Sequence, residues 1–92
     1  MKRKAPEIFV GQGQLRFEGR SVLATYMIEG DPQRLRQGPL RLRGRLVTEV
    51  EAAQAAFRAG DGRVRLEDGT ELRAVMLGHT HGGCEVFVDL RV

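Results

Sequence analysis

"TEVEAAQAAFRAGDGRVRLEDGTELRAVML", residues 48–77, changes its period halfway along, and that change decides the fold. The first part has a helical pattern. Thr48 stands three residues before Glu51, the spacing of a capping box, in which each side chain satisfies a free backbone amide. The alanines between them carry high helix propensity. Val50, Ala53 and Phe57 recur at i, i+3, i+7 and share one face. Gly60 stands where a left-handed residue would end the helix. The spacing predicts a helix over 49–59. After Gly60 the period drops to two. A three-residue turn, Glu67-Asp68-Gly69 with Gly69 left-handed, pairs Leu66 with Thr70. Val64, Leu66, Thr70, Leu72, Ala74 and Met76 then line one face, and Arg63, Arg65, Glu71 and Arg73 line the other.

The period of two continues on both sides. In "CEVFVDLRV", residues 84–92, Cys84, Val86, Val88, Leu90 and Val92 point one way, and Glu85, Phe87, Asp89 and Arg91 the other. Upstream, Leu40, Leu42 and Leu46 alternate with Arg41, Arg43 and Arg45, giving a strand with a leucine face and an arginine face. "GQGQLRFEGRSVLATYMI", residues 11–28, matches "GDGRVRLEDGTELRAVML", residues 60–77, at an offset of 49. Leu15 falls on Val64 and Phe17 on Leu66. "SVLATYMI" is apolar at both parities, as a strand covered on both faces would be.

The expected order is therefore βββαβββ: a mainly β domain, a small barrel or sandwich of about six strands with one helix between strands three and four. The helix position matches the outline of an OB-like barrel, with one strand more. Ninety-two residues make a single domain over 1–92, with residues 1–7 read as a flexible basic N-terminus.

Composition excludes several classes. With 41% apolar and 29% charged residues the chain is neither disordered nor membrane-spanning by helices. One cysteine allows no internal disulfide. "MKRKAPEIFV" lacks the apolar run of a secretion signal, so a cytoplasmic location is expected. The net charge of +3 is unevenly divided, with +6 in residues 1–47 and −3 in residues 48–92. An uneven split suits an anionic partner or attraction between the halves, within one chain or across a homo-oligomer.

Three stretches carry candidate chemistry. Arg34, Arg36, Arg41, Arg43 and Arg45 fall within twelve residues that contain no acid. Alternate strand residues lie about 6.7 Å apart, and arginine presents a planar fork suited to phosphate and carboxylate. The strand is a candidate contact for an acidic protein or a nucleic acid. The opposing reading is a sheet face neutralised by acids such as Glu67, Glu71, Glu85 or Asp89. Stacking aromatics for single-stranded nucleic acid are few, with four Phe, one Tyr and no Trp; Phe17 and Phe57 are expected in the core.

"GHTHGGC", residues 78–84, brings His79, His81 and Cys84 close in sequence. An extended His-x-His points both imidazoles one way, and a thiolate would complete three ligands of an open zinc site. The opposing reading leaves the histidines on a connection between strands and buries Cys84 as a small hydrophobe.

In "RFEGR", Arg16 and Arg20 form Arg-x-x-x-Arg ahead of a strand. This resembles the first half of the cyclic-dinucleotide motif of PilZ domains, which are also small β-barrels. The resemblance implies that the two arginines clamp a ligand's phosphates and guanine faces. The second half of that motif, Asp/Asn-x-Ser-x-x-Gly, is not supplied by the following "SVLATYMIEGD". The glycines of "GQG" and "GDG" precede strands, outside the dinucleotide-binding context, and read as turn residues.

The reading that follows is a small non-enzymatic binding or assembly module. It has no cofactor and touches an acidic protein or nucleic acid through its arginine strand. The alternatives are a metal-binding protein and a structural homo-oligomer.

Overall fold

Among the described residues, six strands and one helix form in the order read from the sequence: β1 (Ile8–Phe17), β2 (Arg20–Glu29), β3 (Leu42–Val47), α1 (Val50–Ala59), β4 (Asp61–Arg65), β5 (Glu71–His79) and β6 (Glu85–Arg91). The computed structural model describes residues 8–32 and 41–92, so the basic stretch 1–7 lies outside the described residues. The strands close into an antiparallel barrel in the cyclic order β1-β2-β3-β6-β5-β4. Closure is short on one side: β1 and β4 are registered only over Gln14–Arg16, and beyond it the Gln12 amide donates to Glu67 Oε1 at 2.9 Å. The order is unchanged when the first three strands exchange with the last three. Leu15, matched to Val64 by the 49-residue offset, is also its Cα partner across the β1–β4 seam. The helix is the link between the two halves.

The turns are made by local chemistry. Glu18 and Gly19, at φ 46° and 76°, join β1 to β2 in two residues. Two positive-φ residues give a turn whose twist matches the strands. The β4–β5 turn takes the expected three-residue form. The amide of Leu66 donates to the Thr70 carbonyl at 2.8 Å, and Gly69 sits at φ 88°.

Alternate residues fill the barrel. Leu15, Tyr26, Ile28, Leu46, Val64, Leu72, Val86, Val88 and Leu90 are each at most 2% exposed. Burying such a side chain contributes about 1.5–3 kcal/mol. Among the described residues no charged side chain is buried. The glycines of "GQG" prove to be strand residues and not turn residues. Gly13 lies in β1, where a Cβ would run into the Arg65 carbonyl oxygen and crowd the Tyr26 ring at 3.2 Å. Gly11 likewise makes room for the Tyr26 hydroxyl, which accepts the Glu67 amide at 3.3 Å.

Several sequence expectations are corrected. The helix begins at Val50 and its N-cap is Glu49, with no side-chain cap. Thr48 does not cap it. The Thr48 hydroxyl donates to the Leu23 carbonyl at 2.8 Å and its amide to the Cys84 carbonyl at 2.9 Å, so the residue ties β3 to both neighbours. The buried helix face is Ala52, Ala53 and Ala56, while Val50 and Phe57 are 45% and 40% exposed. Methyl-sized side chains let the helix approach the barrel closely, and the Phe57 ring lies 5.8 Å from that of His79. Only one parity of β2 is covered, and Leu23 is 74% exposed. In β6 the inward set is Val86, Val88 and Leu90. Cys84 and Val92 lie beyond the strand and are exposed.

Candidate functional site

The arginine face of β3 exists because Gly44 and Leu46 turn inward and send Arg43 and Arg45 out. Arg41 immediately precedes the strand; Arg34 and Arg36 lie outside the described residues. The neighbouring β6 is acidic on its outer face, and its register sets Arg43 opposite Asp89 and Val47 opposite Glu85. Two arginines take those acids. Arg41 Nη1 lies 3.7 Å from Asp89 Oδ2, and Arg45 Nη1 lies 3.5 Å from Glu85 Oε1. Arg45 Nη2 also lies 3.5 Å from the Met27 sulfur. Both acids were among those the sequence offered as neutralising partners. Arg43 has no ion pair among the described residues: Asp89 opposite it is taken by Arg41.

Around Arg43 the wall combines apolar side chains with one acid, Glu29. Cross-strand register aligns Val10, Met27, Arg45 and Phe87 in one row across β1, β2, β3 and β6, with Leu77 beside the β5 bulge next to it. Ile8, Leu77 and Phe87 are 47%, 50% and 41% exposed. These side chains frame a groove of about 430 Å³ that contains Arg43 and Arg45. Sequence reading found the arginines and missed the frame. Leu77 and Phe87 belong to strands thirty or more residues away, and only the register brings them beside β3.

The histidine stretch is spread along the β5–β6 connection. His79 ends β5, and its Nε2 lies 2.9 Å from the Gly83 carbonyl oxygen, which closes the loop over Gly82. His81 and Cys84 are exposed. Among the described residues no three His, Cys, Asp or Glu side chains converge as a ligand set.

Arg16 and Arg20 flank the β1–β2 turn and line the same groove, each with a contact of its own. Arg16 Nη1 lies 3.6 Å from Glu71 Oε1. The Arg20 guanidinium sits 5.3 Å from the centre of the Phe17 ring, a cation–π contact. In comparisons with protein-family models, with curated proteins and with solved structures, nothing matches this chain. Among the described residues no helix is long and apolar enough to cross a membrane.

Proposed function

We propose that the protein is a non-enzymatic binding module that docks an acidic segment of a partner protein against the outer wall of β3. One observation carries the reading. Arg43, without an ion pair among the described residues, stands in a groove framed by half-exposed Ile8, Leu77 and Phe87. A cation inside an apolar frame is the usual composition of an interface centre, where arginine and aromatic side chains dominate the binding energy. The frame supplies buried area, and Arg43 supplies charge complementarity and orientation.

A protein segment fits this wall better than a nucleic acid does. Glu29, Glu85 and Asp89 interleave with the arginines on the outer face and would repel a continuous phosphate backbone. One ring, Phe87, is a poor stacking platform.

The test uses a labelled peptide with acidic residues around a central Leu-Phe pair, a version with glutamine for each acid, and a single-stranded oligonucleotide. Fluorescence anisotropy should show saturable binding of the acidic peptide. Arg43→Gln should weaken it by about tenfold or more, the contribution of one charge-assisted hydrogen bond. Preferential binding of the oligonucleotide, or equal affinity for the glutamine peptide, would overturn the reading. A concentration-dependent dimer dissolved by Arg43→Glu would assign the same wall to a second copy.

A further inference from the structure

A second arginine row lies on another part of the barrel, and it runs across the strands. Arg16 of β1 is the Cα partner of Arg63 of β4, Arg63 is the partner of Arg73 of β5, and Arg73 is the partner of Arg91 of β6. All four face outward, because their neighbours Leu15, Val64, Leu72 and Leu90 are buried. Strands lie roughly 4.8 Å apart, so four always-charged side chains are anchored within about 15 Å.

Like charges directly opposite each other destabilise a sheet, and here three such pairs stand in succession. The fold relieves them incompletely. Glu71 lies 3.6 Å from Arg16 and Asp61 lies 3.8 Å from Arg73, but both pairs are well exposed and screened by solvent. Arg63 and Arg91 have no ion pair among the described residues. The Nε of Arg91 is shielded from solvent and has no hydrogen-bond partner among them, which leaves a desolvated donor unsatisfied. A groove of about 740 Å³ opens beside the row; Arg16, Arg20, Arg63 and Arg73 line it together with the acids Glu18, Asp61 and Glu71, and Arg91 continues the row beyond that lining.

We propose that this row binds a compact oligophosphate anion, held by the guanidinium groups of Arg16, Arg63, Arg73 and Arg91. Each guanidinium can donate two parallel hydrogen bonds to a phosphate group, and a multiply charged anion removes the repulsion along the row. The neighbouring rows limit the ligand's shape. Asp61, Val75 and Asp89 align on one side, and Arg65 with Glu71 on the other. An anion is therefore confined to a line across the strands. Recognition is by phosphate and not by a base, because Phe17 is 4% exposed and its ring is covered by Arg20.

The experiment is calorimetric titration of the full chain with tripolyphosphate, orthophosphate and adenosine triphosphate at constant ionic strength. Tripolyphosphate should bind saturably and at least about tenfold more tightly than orthophosphate. Arg63→Gln and Arg91→Gln should each weaken it by about tenfold, with far-ultraviolet circular dichroism unchanged. Arg43→Gln should leave it unaltered, which separates this site from the β3 wall. Absence of saturable binding, or equal affinity in both row variants and the wild type, would overturn the proposal. Adenosine triphosphate binding more than about tenfold tighter than tripolyphosphate would overturn recognition by phosphate alone.

Discussion

Two arginine sets cross this barrel at right angles and are treated differently by their surroundings. Arg41, Arg43 and Arg45 run along β3, with alternate residues about 6.7 Å apart, beside the acidic outer face of β6. Arg16, Arg63, Arg73 and Arg91 run across four strands at roughly 4.8 Å, and each faces another arginine. A lengthwise row is neutralised by one neighbouring strand of opposite sign, as Asp89 and Glu85 do for Arg41 and Arg45. A transverse row occupies the partner positions itself, so its charge is relieved only diagonally, from Glu71 and Asp61. The same residue type therefore yields a largely balanced face in one direction and a strained cationic line in the other.

The largest expected effect comes from separating the strands that make the transverse row. Arg16 meets Arg63 at the β1–β4 seam, which is held over only three registered pairs. Gly13 lets the seam close, since a Cβ there would strike the Arg65 carbonyl oxygen. Gly13→Ala should cost about 3 kcal/mol, the upper range for forced overpacking, because the obstacle is backbone and cannot rotate away. Urea denaturation measures the loss. Tripolyphosphate binding should vanish while the β3 wall keeps its acidic peptide. An unchanged midpoint would show that the seam yields easily and that the transverse register is not fixed.

A smaller effect is expected at the end of the lengthwise row. Thr48 follows β3 and donates to the Leu23 carbonyl. Thr48→Ala should cost about 1 kcal/mol, the net value of one hydrogen bond, and Thr48→Ser should restore it. Hydrogen exchange of the first-turn amides of α1 should not change, because Glu49 and not Thr48 stands at the N-cap. Faster exchange confined to those amides would reinstate Thr48 as the helix cap.

That contrast bears on how much of the molecule its sequence discloses. Local rules sufficed where the partners are close in the chain. The Glu67-Asp68-Gly69 turn, the inward Val86, Val88 and Leu90, and the outward arginines of β3 all follow from spacing and turn chemistry. Reading failed where a distant group competes. Thr48 satisfies the capping pattern, but its hydroxyl finds a carbonyl 25 residues away. Phe57 fits the helical stripe, but the barrel end accepts the helix through its alanines. The β3 arginines were legible, and the apolar frame around Arg43 was not. The transverse row was legible only in its middle: the Leu66–Thr70 pairing already sets Arg63 opposite Arg73 and Arg65 opposite Glu71, as the register has it. Arg16 and Arg91 were not legible as its ends, because they join it from β1 and β6 and nothing in their spacing states that they share that register.

The smallest expected effect is also the most diagnostic, because its sign differs between the rows. Removing a paired guanidinium, that of Arg41 or Arg45, from the lengthwise row breaks an opposite-charge pair. Arg45→Gln loses the contact with Glu85, and at low salt should cost about 0.5 kcal/mol, as exposed pairs do. Removing one from the transverse row relieves repulsion from both sides, since Arg63 faces Arg16 and Arg73 and has no acid partner among the described residues. Arg63→Gln should therefore raise stability at low salt by about 0.5 kcal/mol, within the range of cross-strand charge terms. Both effects are coulombic and should shrink toward zero near 1 M salt, where the screening length falls to about 3 Å. Saturating tripolyphosphate should reverse the Arg63→Gln effect alone, because the anion stabilises the wild type more than the variant. Thermal melts of both variants across a salt series read all of this in one experiment. A destabilised Arg63→Gln at low salt would mean that neighbouring acids already neutralise the row, and the contrast between the two directions would then disappear.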